Sequence, residues 1–273
     1  MLLPDYETLL LTQQGGRLDV VLNRPERRNA INAKMSAEFT DLVERLGNSD
    51  DIRLVVLRGA GGHFCAGGDI KERRALSVET PDESSDRVQA QNEKAGRAFL
   101  AFQNLPQTTI TAVEGSAFGG GLGYACLSDI TIVTRSARMG MPEVTLGVVP
   151  AQIAPFVVSR IGISRARQLA LTATRFGGQE AYDYGIAHYL CDDDKLDEQI
   201  KEVANKVMAC APMASAATKA LLLGVGSMNQ EDMAHHAAKV FVSQSRGPEG
   251  REGQTAFIEK RTPSWSVLTD EDV

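Results

Sequence analysis

Cysteine is scarce and unpatterned in this sequence. The four, Cys65, Cys126, Cys191 and Cys210, show no CxxC spacing in 273 residues. That speaks against a disulfide scaffold and for a reducing compartment. No apolar run reaches about 20 residues, the length a helix needs to cross a bilayer. The opening stretch, MLLPDYETLLL, holds Asp5 and Glu7 and no basic region, so it matches a signal peptide poorly. Positive charge is also short. There are 29 Lys and Arg against 35 Asp and Glu, a formal charge of −6. Nucleic acid or an anionic membrane would want a basic face. Neither is expected as a partner, and the expected location is cytoplasmic.

What is present is an ordinary globular composition, 43% apolar. A chain of this length can remove roughly three quarters of its unfolded surface from water. YETLLLTQQGGRLDVVLNRP reads as two strands around Gln14, Gly15 and Gly16, a hairpin signal. Met35, Phe39, Leu42, Val43 and Leu46 follow at helical spacing behind Asn32, a plausible cap. RLVVLRG, TTITAVEG and DITIVTR read as strands, and residues 74–86 as an exposed, mobile polar segment. A helix is expected from Asp86. After Pro150 the pattern is helical, interrupted only by an extended AHYL near residues 187–190.

Two segments share a design. CAGGDI (65–70) and FGGGLG (118–123) each follow a strand and enter a helix. Unpaired N–H groups at a helix start favour negative charge. Two such turns meeting at one oxygen would form an oxyanion hole made of backbone. Glycine would then let a flat ligand group lie against the main chain. Tight turns without a ligand are the competing explanation for either segment alone.

The blocks LNRPERRNAIN, HFCAGGDIKE, EGSAFGGGLGYACLSDITI, MPEVTLGVVP and EGREGQTAFIEKRTPSW resemble, in order and spacing, the signatures of the crotonase (enoyl-CoA hydratase/isomerase) superfamily. The resemblance covers nearly the whole chain. It implies an α/β fold, a crotonase-type spiral of ββα units with a helical C-terminal region. Residues 1–195 would form the spiral core and 196–273 a helical trimerisation region. It further implies an acyl-CoA thioester substrate, a homo-trimer or dimer of trimers, and neither metal nor cofactor, coenzyme A being part of the substrate. By position, Gly68 and Gly120 supply the two oxyanion N–H groups. Ala66, Gly67, Asp69 and Ile70 run along the adenine and pantetheine, and Lys71 matches a lysine near the nucleotide. Phe257 and Lys260 match residues that reach a neighbouring subunit's CoA. Arg28 is a candidate phosphate contact, with ordinary solvated surface as its equal alternative.

The hydratase pattern has two glutamates. Glu143, in Pro142-Glu143, matches one of them, and its apolar surroundings would raise its pKa toward neutrality. The other position is Gly123, which can move no proton. Its missing side chain is expected to open volume for a branched acyl group. Glu114, His63 and Cys65 read as structural. His235 and His236 point to different faces of one helix, a poor zinc arrangement. Tyr124 and Ser128 are minor candidates for the pocket.

LGVVPAQIAPFVVSRIG, CAPMASAATKALLL and the EGREGQTAF block are most similar to isohexenylglutaconyl-CoA hydratases of acyclic terpene breakdown, then to methylglutaconyl-CoA hydratases of leucine breakdown. Two alternatives compete. One is an isomerase, which needs a single carboxylate. The other is a non-catalytic CoA- or RNA-binding homologue. For RNA, Lys195, Lys201 and Lys206 are diluted by Asp192, Asp193, Asp194, Asp197, Glu198 and Glu202, a mixed solvated face.

Overall fold

A computed structural model describes residues 3–77 and 81–266. The chain opens with a hairpin, β1 (Leu9–Gln14) and β2 (Arg17–Leu22), paired from Leu9 with Leu22 to Gln14 with Arg17. Helix α1 (Ala33–Gly47) follows, capped by Asn32, whose side chain accepts the Met35 N–H. Its buried residues include the expected Met35, Phe39, Leu42, Val43 and Leu46. Next come β3 (Leu54–Gly59), α2 (Ile70–Ser77), α3 (Pro81–Gln103), β4 (Thr108–Val113), β5 (Ser116–Phe118) and α4 (Gly120–Leu127). Strands β6 (Ile130–Thr134) and β7 (Arg138–Gly140) precede α5 (Ala154–Thr172), β8 (Phe176–Gly177), α6 (Gly178–Asp183) and β9 (Tyr189–Cys191). The chain then runs through α7 (Leu196–Met208), α8 (Pro212–Leu223), α9 (Gln230–Arg246) and α10 (Pro248–Glu259).

Six strands form one sheet in the order β1-β2-β3-β4-β6-β9, parallel except for the opening hairpin. Alternation along β3 sends Val55 and Leu57 into one core and Leu54 and Val56 into another. The first core lies under α1, α3, α4 and α5, and the second under α7 through Leu196, Ile200 and Val203. Cover on both faces explains why β3 opens on an unbroken apolar run, Leu54, Val55, Val56 and Leu57.

A second, three-stranded sheet, β5-β7-β8, lies beside the first. It escaped the sequence reading because two or three residues are too few to show alternation. The polar segment 74–86 is helical where it is described. Helix α2 reaches Ser77 and α3 begins at Pro81, while residues 78–80 lie outside the described residues. Proline in the first turn costs no hydrogen bond, which suits Pro81 to a helix start. Further on, Gly162 breaks α5 at φ 74°, so α5 is two helical runs joined across a kink. Among the described residues, no single helix is long and apolar enough to cross a membrane.

Candidate active site

The two glycine turns stack against each other. A Cβ built on Gly67 would lie 2.9 Å from the Phe118 carbonyl oxygen and 3.7 Å from Gly119 Cα. Backbone bonds fix this arrangement. Cys65 N–H donates to Ser116 O and Phe118 N–H to Cys65 O, joining the first turn to β5. On the other edge, Ala66 N–H donates to Arg28 O, Ile31 N–H to Gly67 O and Asp69 N–H to Ile31 O. Regular strand alternation would aim the Gly68 N–H at the same edge as that of Ala66. Gly67, at φ 89°, reverses the sense. Its own carbonyl and the Asp69 N–H now face Ile31, so the Gly68 N–H turns to the β5 side. Only glycine holds that conformation at no steric cost.

Gly120 is the first residue of α4, so its N–H has no acceptor within the helix. Neither Gly68 N–H nor Gly120 N–H bonds another described residue. The triple glycine, however, is explained mostly by the protein's own atoms. A Cβ on Gly121 would meet Cys65 O at 2.5 Å. One on Gly119 would meet Glu143 Oε1 at 2.9 Å. Gly120 alone has ordinary room, with Ile31 Cδ1 at 3.5 Å and Phe99 Cζ at 3.6 Å. The expectation that a ligand keeps this run free of side chains therefore holds room for Gly120 only.

Glu143 reaches Gly119 through β7. Gly119 N–H donates to Gly140 O, which ties the end of β5 to the end of β7. Buried Met141 and then Pro142 lead into a single 3-10 turn, Glu143–Leu146. The half-buried carboxyl of Glu143 thus lies against the second glycine turn.

Gly123 corrects the sequence reading. Its space is filled: a Cβ there would come within 2.5 Å of Ile153 Cγ2 and 3.6 Å of Phe99 Cε1. Ile153, buried at the start of α5, takes the place of the absent side chain. Volume appears instead one residue on. Tyr124, Ile31, Met35, Ser36, Phe39, Ala98 and Phe99 line a small, mainly apolar cavity of about 40 Å³. Burial among Phe39, Phe99 and Phe102 pushes the Tyr124 phenol above its ordinary pKa and keeps it neutral. Ser128 does not line this cavity; its hydroxyl pairs with Thr111 Oγ1 and Tyr124 O.

The remaining candidates divide. Asp69 is engaged at home: Arg24 lies 3.2 Å from its Oδ2, and its Oδ1 accepts the Lys71 N–H that opens α2. Burial pushes the Asp69 carboxyl up, but Arg24 and the N–H groups of Glu72 and Lys71 outweigh it and hold the group below the usual range. Ile70 and Lys71 are exposed beside it, and Ala66 is half-buried. Arg28, at φ 49°, lines a different cleft with Arg138 and Arg175. Phe257 is 86% exposed on α10, and Lys260 caps that helix in the left-handed region. His63 Nδ1 accepts the Ser116 N–H, and Glu114 pairs with Arg58. The Cys65 thiol is pushed by burial to about 12 and is inert. Sequence reasoning missed Asn29 as a support. Wholly buried, its side chain bonds Ala60 O, His63 O and Arg24 N–H, lashing the first glycine loop to the turn after β2. The Asn-Ala pair in the first signature block was its only signal.

Comparisons with known proteins agree with this architecture. A family model described as enoyl-CoA hydratase/isomerase matches residues 12–267. The enoyl-CoA hydratase ACTT6 of Alternaria alternata is 32% identical over 227 residues, 83% of this chain and 72% of the relative. Carnitinyl-CoA dehydratase of Proteus mirabilis is 31% identical over 266 residues, covering 95% and 98%. Among solved structures, Pseudomonas aeruginosa AtuE superposes with a TM-score of 0.92 at 43% identity, covering 95% of this chain and 100% of its own. An enoyl-CoA hydratase/isomerase from Marinobacter aquaeolei gives 0.91 at 43%, covering 95% and 99%. The fold is the crotonase spiral, and the chain belongs to the enoyl-CoA hydratase/isomerase family as an acyl-CoA enzyme of that type.

Proposed function

We propose that the protein hydrates a branched, 3-substituted glutaconyl-CoA, with the isohexenyl form first and the 3-methyl form next. The observation that carries the reading is the pair of unclaimed N–H groups, Gly68 and Gly120, on stacked turns with Glu143 against the second. In this mechanism the thioester oxygen sits between the two N–H groups. Polarisation makes C3 electrophilic. Water adds there as Glu143 takes its proton, and the electron pair of the double bond moves onto the thioester as an enolate. Glu143 then returns the proton to C2, so one water is added in all. Fixed donors aimed at developing charge are worth about 3–4 kcal/mol each.

The cavity beyond Gly120 supports an acyl branch that is apolar, because Ile31, Met35 and Phe99 line it. Coenzyme A would follow Ala66, Gly67, Asp69, Ile70 and Lys71, with Arg28 on phosphate and Phe257 and Lys260 reaching a neighbour's nucleotide. Such reaching requires a trimer or a dimer of trimers. Exposed Leu222, Phe241 and Phe257 on α8–α10 support assembly. Four free cysteines support a reducing, cytoplasmic setting. No metal or redox cofactor enters the reaction as written.

A second reading, a double-bond isomerase, is favoured by Gly123. With Ile153 in its space, Glu143 is the only carboxyl of the two-glutamate pattern. One experiment separates them: incubation with a panel of glutaconyl-CoA and simple enoyl-CoA thioesters, followed by mass spectrometry. A gain of one water on the branched glutaconyl thioesters is expected, and Glu143→Gln should lower that rate at least about 100-fold. Turnover without a mass change points to isomerisation. Hydration of simple enoyl-CoA alone overturns the substrate.

A further inference from the structure

Beside the candidate active site, sharing Arg28 with the proposed path of coenzyme A, lies a cleft of about 620 Å³, lined by Arg28, Ser116, Phe118, Arg138, Arg175 and Glu180 among others. Its floor is the small sheet. Ser116 faces Arg138 across β5 and β7, and Arg138 faces Gly177 across β7 and β8. Three exposed arginines line it in a chain of net charge −6. None of the three lies within 4.0 Å of a carboxylate among the described residues. Two of them are already held in place. Arg138 Nη1 donates to Ser136 O and Ala137 O, at 3.2 and 3.0 Å. Arg175 stands 5.4 Å over the Phe118 ring. The single acid, Glu180, accepts the Gly177 N–H at 2.9 Å, which spreads part of its charge into the backbone.

We infer that this cleft binds a phosphate-bearing anion carrying at least two phosphates. Guanidinium forks match phosphate oxygens in bidentate fashion. Arginines held beforehand lose little freedom on binding. The hydroxyl of Ser116 makes no bond to another described residue and adds a neutral donor. The floor also connects to the glycine turns, since Phe118 runs into Gly119 and Gly140 O accepts the Gly119 N–H. Binding of a phosphate-bearing anion does not depend on the mechanism proposed above, whereas the nucleotide source rests on that acyl-CoA reading. Its ligand has two sources: a free phosphorylated metabolite, or the nucleotide end of the substrate.

Titration calorimetry with inorganic pyrophosphate and with adenosine 3′,5′-bisphosphate tests the inference. The proteins compared are the unaltered chain, Arg138→Ala/Arg175→Ala, and Arg175→Ala alone, which spares the backbone bonds of Arg138. Pyrophosphate should bind the unaltered chain, at least tenfold more weakly the double variant, and intermediately the single one. If the source is the substrate, the double variant raises KM for acyl-CoA and leaves KM for the matching pantetheine thioester unchanged. If it is a free metabolite, both KM values stay unchanged while pyrophosphate binding is lost. No binding to the unaltered chain, or equal binding to all three proteins, overturns the inference.

Discussion

Three adjacent glycines serve three different ends. Gly121 yields to the Cys65 carbonyl, Gly119 yields to Glu143, and Gly120 has ordinary van der Waals room against Ile31 and Phe99. Gly121→Ala forces a methyl group to 2.5 Å from main chain that cannot move aside. It should lose about 1–3 kcal/mol or more through overpacking. Gly120→Ala should unfold within about 1 kcal/mol of the unaltered protein and yet lose turnover, because its methyl stands where the acyl group is proposed to lie. Thermal unfolding and turnover measured on both variants check the contrast. From the sequence, the glycine run shows that side chains are excluded but not by what. The excluding atoms belong to Cys65, 56 positions before Gly121, and to Glu143, 24 positions after Gly119 — distances that no local pattern spans. Gly123 teaches the same point, since nothing near it in sequence announces that Ile153 fills its place.

Elements were legible in proportion to their length. Helices α1 and α7 through α10 have enough turns for periodicity to show, and the hairpin carries its own turn signal. The strands of the small sheet, by contrast, exist only because neighbouring strands hold them. The start of α2 is likewise held from outside. Arg24, on the turn after β2, grips Asp69 while Asp69 caps the helix. Because the folded pKa of Asp69 is depressed, its contribution to stability is full above the unfolded value of about 3.9 and is lost as pH falls through the folded one. Glu38 behaves alike. Burial pushes its carboxyl up, but Thr8, the Glu7 N–H and Lys34 outweigh that and hold it down. Melting temperature should therefore fall on acidification below about pH 4. In Asp69→Asn it should start lower and fall less steeply, as unfolding scans between neutral and acid pH would show.

At the scale of the whole molecule, the two ends of the chain contrast. The spiral buries its sheet on both faces, whereas α8 and α9 hold no buried residue. Phe241 and Phe257 are 72% and 86% exposed, a poor arrangement for a lone subunit. Light scattering should give a mass three or six times that of one chain. Phe241→Asp should lower that mass while the circular dichroism of the helices is retained. If Phe257 completes a neighbour's site as proposed, the dissociated protein also loses affinity for acyl-CoA.

The sequence alone determined the order of the longer strands and helices, the position of both glycine turns, the Pro-Glu pair, and the family they jointly mark. Each of these is local, written in spacing, turn residues and short blocks. Tertiary structure decided which N–H groups stay unclaimed among the described residues, what fills the space at Gly123, and that Arg28, Arg138 and Arg175 line one cleft. Those are contacts between segments tens to more than a hundred residues apart. Close packing fixes them only once the whole chain has folded, because each group's neighbours are set by the sheet order and not by its place in the chain.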